Sequence, residues 1–459
     1  MQIARDSLVR LEFDRGTITL TGCSEQVAFD LPGVLWDPRV QAYRAPGFRY
    51  SALAAALKRP GRTFHDHVCA AVGPPVARWE EVELRPYQAA ALTSWELSNA
   101  RGLVVLPTGS GKTRLALAAM TRRRCRTLCL VPTRVLLEQW RTVLAQLYRG
   151  PIGQYGDGTR VLEAVTVATF ASAFHHMASL GNRFDLLVVD EAHHFGTGAG
   201  DEALELCAAP ARIGLTATPP TSPLHRTRLE ELIGPEVYRQ SVADLAGDYL
   251  APLQVVSLRL DLTSLERREY AQEVAVYQPA VHQFFRYSPR ATWREFQTAA
   301  VRTDEGRRAL AAWRRSRKLV AFTEAKQAAV ARLLVELRGA RLLVFTGDND
   351  TAYRVSSEHC IMPITCDIGR AERREALERF RTGDLAVLVS SQVLNEGIDV
   401  PAAEAAILVG GRLGTREFVQ RVGRTLRPAP GKQAVVYELV TRGTHEVREA
   451  LRKRQELGS

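Results

Sequence analysis

Short apolar runs alternate with amphipathic helical segments along two stretches of this 459-residue chain, and this alternation restricts its fold more than any other feature. The first stretch, residues 84 to about 250, contains GLVVLP, TLCLVP, AVTVATF, LLVVDEA and RIGLTATP. The second contains RLLVFT at 341–346, LAVLVSS at 385–391 and AAILVGG at 405–411. Apolar strands that alternate with helices predict parallel sheets with helices on both faces. We therefore expect an α/β fold with two parallel-sheet domains.

Two further regions differ from these sheets. Residues 1 to about 80 begin with the alternating segments LVRLEF, TITLTG and QVAFDL and continue into a helical SALAAALKR, which predicts a small mixed α/β module. Between the two sheets, apolar residues recur at helical spacing from Leu265 to Phe284, which predicts a helical insertion. The predicted domains are therefore 1–80, 81–255, 256–318 and 319–459.

The composition argues against several classes of protein. No run approaches the roughly 20 apolar residues that cross a bilayer, and the N-terminus lacks the basic and apolar regions of a signal peptide. The seven cysteines form no CxxC pair, which argues against a disulfide framework, a zinc site or an iron–sulfur cluster. We expect a cytoplasmic protein without a membrane partner.

Positive charge is concentrated in two segments of the chain, whose net charge is +11. Residues 259–318 carry 13 Lys and Arg against 7 Asp and Glu, and residues 412–454 carry 11 against 4. Such clusters are typical of a surface that binds a polyanion, because neutralising its phosphates releases counterions. They also fit an ordinary solvated face, since Arg outnumbers Lys 55 to 6, as a GC-rich genome would produce.

The segment LPTGSGKT at 106–113 follows an apolar strand and opens a predicted helix. In that position successive backbone N–H groups cradle the phosphates of a nucleotide such as ATP. Lys112 would reach the β- and γ-phosphates, and the Thr113 hydroxyl would bind Mg²⁺. The predicted nucleotide-binding residues of this loop are Pro107, Thr108, Gly109, Ser110, Gly111, Lys112 and Thr113.

A second motif, VVDEAHH, places two carboxylates at the end of another apolar strand and reads as a DEAH box. Asp190 can hold Mg²⁺ through water, and Glu191 can polarise the attacking water. His193 follows two residues later and is a candidate to relay the state of the nucleotide. In LTATP at 215–219, Thr216 and Thr218 are candidates to couple hydrolysis to movement of the domains.

The second predicted sheet carries SSQVLNEGIDVP at 390–401 and EFVQRVGRTLRP at 417–428. Gln420, Arg421, Arg424 and Arg427 recur at helical spacing, so they can project together toward a nucleotide held by the other domain. Arg424 and Arg427 are candidate arginine fingers, which would supply positive charge at the γ-phosphate when the domains close.

The ordered set of motifs resembles that of superfamily 2 helicases. It comprises the segments 84–88, 106–113, 131–140, 190–194, 215–219, 390–401 and 420–427. The resemblance implies two RecA-like domains that flank an ATP cleft. It implies that Arg85 and Gln88 in LRPYQ recognise adenine and that Asp399 contacts the ribose, with Gly397 in the adjacent tight turn. Nucleic-acid contacts are implied near Thr133, Arg134 and Thr169 in VPTRVLLEQW and VATF.

Within that superfamily the chain most resembles the XPB helicases in their compact archaeal form. DRGTITLTG and LPGVLWDPRVQAYRAPGFRY resemble the damage-recognition module of that family, and AFTEAKQAAVARLLVEL also matches. The family carries a helical thumb, which implies that role for roughly 262–318. There, Tyr287, Trp293 and Phe296 lie among three arginines, as a base-stacking, phosphate-binding surface requires. Aromatics at helical spacing also fit the buried core of a helical region, so both alternatives stay open. The arginines are Arg286, Arg290 and Arg294.

The chain departs from the XPB pattern at two places. Ala192 stands where XPB proteins usually have valine. Shortly after the TAT motif, XPB proteins carry Arg-Glu-Asp, whereas this chain reads PPTSPLHR at 219–226. Arg226 and Arg228 are the nearby charges that could partly substitute for the missing motif.

These observations favour an ATPase that is stimulated by DNA and moves along it. We expect a monomer that acts in the nucleoid with a nuclease or another repair protein as partner. The family resemblance implies movement from 3′ to 5′. Three alternative functions are compatible with all or some of these motifs. They are an RNA helicase of the DEAH type, a nucleic-acid-binding protein with a degenerate ATP site, and a nuclease-fused restriction subunit. The second is disfavoured because every ATP-site residue is present, and the third because no acidic metal cluster follows the last motif.

Overall fold

The computed structural model describes residues 9–58, 63–69, 77–245, 249, 253–391, 403–410 and 434–457. These residues form two compact units, which divide after Gln240. The first unit contains the N-terminal module and one parallel sheet, and the second contains the helical insertion and another parallel sheet. Among the described residues no helix is long and apolar enough to cross a membrane.

The N-terminal module is a five-stranded sheet with two helices. Its elements are β1 (Val9–Asp14), β2 (Thr17–Thr21), α1 (Glu25–Phe29), β3 (Leu35–Asp37), β4 (Ala42–Pro46), α2 (Tyr50–Leu57) and β5 (Phe64–His67). The strand order is β3-β4-β2-β1-β5, antiparallel except between β1 and β5. Leu11, Ile18 and Leu20 alternate into its core. The segment QVAFDL forms α1, although its alternation is typical of a strand, because Ser24 caps that helix.

The first unit also contains an eight-stranded sheet. Its strands are β6 (Arg101–Val105), β7 (Thr127–Val131), β8 (Ile152–Gly156), β9 (Thr159–Val161), β10 (Val165–Thr169), β11 (Leu186–Val189), β12 (Ala211–Thr216) and β13 (Glu236–Arg239). The strand order is β13-β6-β12-β11-β7-β10-β8-β9, and only β9 runs antiparallel to its neighbour. The interleaved helices are α3 (Pro86–Leu97), α4 (Lys112–Arg123), α5 (Arg134–Leu147), α6 (Phe170–Leu180), α7 (Glu202–Glu205) and α8 (Pro223–Leu232).

The buried strands of this sheet explain where its motifs lie. Strands β7, β10, β11 and β12 are buried at every residue, as the apolar runs predict. All four are parallel, so their carboxyl ends lie at the same edge of the sheet. The loops that carry the predicted chemistry follow those ends, and the sheet therefore brings distant motifs together.

The second unit contains a six-stranded parallel sheet in the order β14-β19-β18-β15-β17-β16. Its strands are β14 (Leu253–Leu260), β15 (Leu342–Phe345), β16 (Met362–Ile364), β17 (Val387–Ser390), β18 (Ala405–Leu408) and β19 (Ala434–Thr441). Its helices are α9 (Val242–Leu245), α10 (Ser264–Tyr287), α11 (Trp293–Ala300), α12 (Asp304–Ala321), α13 (Glu324–Glu336), α14 (Asn349–His359), α15 (Arg370–Thr382) and α16 (His445–Leu457). Two parallel-sheet domains are therefore present, as predicted.

The insertion between β14 and β15 is helical, as its periodicity predicts. Thr263 and Glu266 form a capping box at the start of α10, and Thr292 and Glu295 form another at the start of α11. A small apolar core joins α10, α11 and α12 around Phe296. The insertion thus has a core separate from that of the sheet.

Candidate active site

The loop between β6 and α4 has the shape of a phosphate cradle. Gly109 and Gly111 have φ angles of 85° and 81°, in the left-handed region that favours glycine, so the loop turns sharply before Lys112 begins the helix. Ser110 Oγ donates to the Pro107 carbonyl at 2.7 Å, which closes the turn. The Thr108 hydroxyl oxygen is buried and has no hydrogen-bond partner among the described residues. A buried donor without a partner fits a phosphate ligand at this loop.

Lys112 lies at the start of α4, where the helix dipole and the free N–H groups favour an anion. Its ammonium donates to the carbonyl oxygens of Leu106 and Pro107, at 3.2 and 3.3 Å. The next residue, Thr113, lies in the first turn of the same helix. The loop therefore holds a cation and a hydroxyl at the place where the sequence predicts the nucleotide phosphates.

Asp190 and Glu191 follow the buried strand β11. Asp190 accepts hydrogen bonds from the indole N–H of Trp140, at 2.9 Å, and from the backbone N–H of Glu191, at 3.0 Å. Glu191 has a φ of 50°, in the left-handed region, so the chain turns directly after Asp190. Trp140 was not among the residues predicted from the sequence. The available signal was a tryptophan in a motif helix, because a buried indole N–H requires an acceptor.

Burial and mutual charge separate the acidities of the two carboxyls. Burial raises the pKa of Asp190, and the charge of Glu191 adds to the increase. Burial alone would also raise the pKa of Glu191, but its contact with His193 and the charge of Lys112 lower that pKa below its usual range. Glu191 is therefore ionised at neutral pH. A divalent cation would relieve the cost of keeping Asp190 ionised beside it, so the pair fits Mg²⁺.

His193 connects the two acidic residues to the end of β12. Its Nδ1 atom lies 3.3 Å from Glu191 Oε2 and 3.1 Å from Thr216 Oγ1. Thr216 Oγ1 in turn accepts a hydrogen bond from the Thr218 N–H at 3.1 Å. The structure thus joins His193, Thr216 and Thr218, the three residues predicted to couple hydrolysis to movement.

Gln88 contacts the phosphate loop from α3. Its amide nitrogen donates to the carbonyl oxygens of Ser110 and Gly111, at 2.8 and 3.3 Å. Its amide oxygen accepts from the Arg85 N–H at 3.0 Å. Arg85 and Gln88 line a cavity of about 360 Å³ together with Arg114. The two residues predicted to recognise adenine therefore lie beside the loop predicted to bind the phosphates.

Three residues of the first unit are predicted to contact nucleic acid, and they lie at the starts of two helices. Thr133 caps α5 and Thr169 caps α6, and each hydroxyl accepts a hydrogen bond from a backbone N–H three residues later. Arg134 lines a cavity of about 310 Å³ beside the start of α6. In this structure Arg134 pairs with Asp157 at 2.7 Å.

The aromatic part of the predicted thumb surface is wrong for Phe296, while Trp293 is half-buried. Phe296 is only 3% exposed and belongs to the core of the insertion, and Trp293 packs against that core. The helical spacing of these aromatics reflects the inner face of an amphipathic helix. Tyr287, in contrast, is 78% exposed. The arginines Arg286, Arg290 and Arg294 are also exposed.

Arg226 and Arg228, predicted to be available as substitutes for the missing Arg-Glu-Asp, are engaged within the protein. Arg226 pairs with Glu230 and Glu236, at 3.2 and 3.0 Å. Arg228 pairs with Asp201, Glu205 and Glu231. Both side chains therefore lie in ion pairs on α8, and their substitution for the missing motif stays a prediction.

Five predicted ATP-site residues lie outside the described residues. They are Gly397, Asp399, Gln420, Arg424 and Arg427. Their roles stay predictions.

Three family models match separate parts of the chain. The Xeroderma pigmentosum group B helicase damage recognition domain matches residues 11–68, the type III restriction enzyme res subunit matches 81–221, and the helicase conserved C-terminal domain matches 325–429. A DNA 3'-5' translocase XPB2 of Sulfurisphaera tokodaii is 34% identical over 425 residues, which cover 92% of this chain and 96% of the relative. The chain belongs to the XPB family of superfamily 2 helicases.

A second relative and a solved structure agree with this assignment. A DNA 3'-5' helicase XPB of Mycobacterium tuberculosis is 27% identical over 450 residues, covering 95% of this chain and 74% of the relative. The crystal structure of the Pyrococcus furiosus Hef helicase domain matches 81% of this chain and 98% of its own, with a TM-score of 0.52 and 19% identity, and so supports the fold. Because XPB proteins are a distinct type within superfamily 2, the DEAH-box assignment made from the tetrapeptide at 190–193 is not supported.

Proposed function

We propose that this XPB-family protein is an ATP-dependent DNA helicase and translocase, which couples ATP hydrolysis to movement along DNA or to its opening in repair or transcription. The observation that carries the proposal is the contact from Glu191 through His193 to Thr216. A pure nucleic-acid-binding protein has no need for such a link between an ionised carboxylate and a neighbouring strand. Relatives named as DNA 3'-5' helicases and translocases support DNA as the substrate and movement along it from 3′ to 5′.

In the proposed reaction Lys112 and the loop N–H groups bind the β- and γ-phosphates of ATP. Glu191, kept ionised by His193 and Lys112, polarises the attacking water. Mg²⁺ held near Thr113 and Asp190 would neutralise charge on the phosphates. Trp140 orients Asp190 for that role, because its indole N–H donates to one carboxylate oxygen at 2.9 Å.

Loss of the γ-phosphate would change the hydrogen bonding of Glu191, and His193 would pass the change to Thr216. Arg424 and Arg427, with Gln420, would complete the site from the second parallel-sheet domain, and Asp399 beside Gly397 would hold the ribose. These assignments follow from the match of each position to the family's motifs. They explain why hydrolysis and domain movement would depend on each other.

The proposed DNA path crosses the starts of α5 and α6. Helix N-termini favour phosphates, because their free N–H groups and dipole attract negative charge. Arg134 would exchange its pairing with Asp157 for a DNA phosphate. The match of residues 11–68 to a damage recognition domain supports a role in repair. The proposal further places the protein in the nucleoid as a monomer, with a nuclease or another repair protein as partner.

The substrate is tested by measuring ATP turnover with duplex DNA, single-stranded DNA and RNA in parallel. We expect DNA of either form to raise kcat for ATP and RNA to raise it much less. RNA as the strongest stimulator would identify an RNA helicase. ATP turnover that no nucleic acid changes would indicate a nucleic-acid-binding protein without motor activity.

The thumb proposal is tested by replacing Arg286, Arg290 and Arg294 with alanine. We expect weaker DNA binding, because exposed arginines beside the exposed Tyr287 can neutralise phosphates. The slope of log Kd against log salt should fall by about 0.9 for each duplex phosphate that the variant no longer neutralises. ATP turnover without DNA should not change.

The matched control for the thumb variant removes three exposed arginines from surface ion pairs elsewhere. They are Arg122, Arg149 and Arg332, which pair with Glu96, Glu80 and Glu336. Both variants lose the same net charge, so only a local interaction with DNA makes them differ. Identical salt slopes for the two triple variants would show that the thumb arginines do not contact DNA.

A further inference from the structure

The N-terminal module docks on a short segment that follows α7. Phe48 of the module is 6% exposed and belongs to the core of the eight-stranded sheet. Leu206 lies against two glycines of the module, where a Cβ at Gly16 would be 2.5 Å from its side chain and one at Gly47 would be 2.8 Å from its carbonyl oxygen. Ala208 belongs to the module's own core. The two cores are therefore in direct contact within the first unit.

The same segment is close in sequence to the loop that leaves the ATP-site carboxylates. Asp201, at 2% exposure, accepts hydrogen bonds from the N–H groups of Gly196 and Gly198, at 2.8 and 3.1 Å. Gly196 lies three residues after His193, and a Cβ there would be 2.5 Å from the His225 carbonyl oxygen of α8. Asp201 and α8 together hold the exit of the loop that carries Glu191 and His193.

Arg228 of α8 contacts both of these places. Its Nε lies 3.6 Å from Asp201 Oδ2, its Nη2 donates to Glu205, and its Nη1 donates to Glu231 at 2.9 Å. Its guanidinium carbon lies 5.8 Å from the centre of the Phe48 ring, a cation–π distance. One side chain thus bridges the loop of the ATP site, the docking segment and the N-terminal module.

Electrostatics makes this bridge sensitive to loss of the cation. Three carboxylates surround Arg228, and one of them, on Asp201, is nearly buried. Without the guanidinium these charges repel one another, and a buried carboxylate cannot be screened well by solvent. Asp201 would then lose its link to Phe48, while its own hydrogen bonds to the N–H groups of Gly196 and Gly198 keep the loop exit in place.

We propose that Arg228 is a positioning residue that couples DNA engagement by the N-terminal module to ATP turnover. The module would transmit its displacement through Phe48 and Arg228 to Asp201, and so to the loop that orients Glu191. This inference rests on the proposed function, since it requires a DNA-stimulated ATPase. It assigns to the module an effect on catalysis in addition to binding.

The test compares Arg228→Ala with Arg226→Ala in the full chain. Arg226 lies on the same helix and pairs with Glu230 and Glu236, so its replacement removes the same charge and leaves the bridge from Asp201 to Phe48 in place. For Arg228→Ala we expect DNA-stimulated kcat to fall about fivefold or more, the lower end of typical couplings between sites. The KM for ATP, the turnover without DNA and the affinity for DNA should each stay within about twofold of the unmodified protein.

Two further variants separate coupling from a loss of folding. Arg228→Lys keeps the charge but cannot contact three carboxylates with a planar fork, so its stimulated kcat should lie between those of Arg228→Ala and the unmodified protein. Glu205→Gln weakens the same bridge from α7 and should lower stimulation without unfolding the chain, as thermal unfolding would verify. If Arg228→Ala does not fold, the coupling is tested with Glu205→Gln instead.

The possible failures are distinguishable. An unmodified protein whose ATP turnover ignores DNA would overturn the proposed function itself. A stimulated unmodified protein with equal stimulation in Arg228→Ala, Glu205→Gln and Arg226→Ala would overturn the coupling role alone. An equal loss of basal and stimulated turnover in Arg228→Ala, or a loss of DNA affinity, would also overturn it, because each assigns the arginine to general stability or to binding.

Discussion

Glu191→Gln is expected to lower steady-state ATP turnover by about 10²- to 10⁴-fold while ATP remains bound. Glutamine has nearly the same shape but cannot accept a proton from the attacking water. The pKa of Glu191 lies below its usual range, so the charge that the substitution removes is present throughout the neutral pH range. Nucleotide affinity and single-turnover hydrolysis, measured on the same preparation, separate binding from chemistry.

The control for this substitution is Glu80→Gln, which changes an exposed carboxylate paired with Arg149. It should keep both turnover and affinity. Normal turnover by Glu191→Gln would show that another group polarises the water. Loss of ATP binding together with turnover would show instead that the substitution disturbs the loop through His193, its partner at 3.3 Å.

Lys112→Ala is expected to weaken ATP binding as well as turnover. A hydrogen bond from a charged donor contributes about 1.5–3 kcal/mol, which corresponds to about 10- to 150-fold in affinity. Lysine binds the phosphates in the ground state and the transition state, so both Kd for ATP and kcat should worsen. Equilibrium titration with ATP and steady-state kinetics measure the two effects.

A matched lysine is available for comparison. Lys318 pairs with Asp350 on the surface, so Lys318→Ala removes the same charge and should alter neither quantity. Undiminished ATP affinity in Lys112→Ala would place the phosphates elsewhere. The two predictions together distinguish the residues, because only Lys112→Ala should lose affinity.

Much of the ATP site could be predicted because its determinants are local. The left-handed conformations at Gly109 and Gly111 follow from residue type, and the position of Lys112 follows from the strand that precedes the loop. Asp190 and Glu191 were predicted to end a strand for the same reason. The capping boxes at Thr263 and Thr292 likewise mark helix starts within four residues of sequence.

Other parts depend on contacts between distant residues. Trp140 and Asp190 are 50 positions apart, and the indole N–H reaches the carboxylate only because α5 packs on β7, the neighbour of β11 in the sheet. The prediction that Phe296 lies on the thumb surface was wrong for a related reason. A helical repeat predicts that Trp293 and Phe296 share a face, but only the packing of α10, α11 and α12 decides that the face is inward.

The sequence by itself determined the two parallel sheets, the nucleotide loop and the acidic motif, because apolar period, glycine conformation and helix capping act over a few residues. The tertiary structure alone decided which charged side chains are engaged. Arg226 and Arg228 are two residues apart on α8, yet one makes surface pairs and the other bridges Asp201, Glu205 and the N-terminal module. That difference depends on the docking of Phe48 and Leu206, and long-range packing of this kind leaves no periodic signal in the chain.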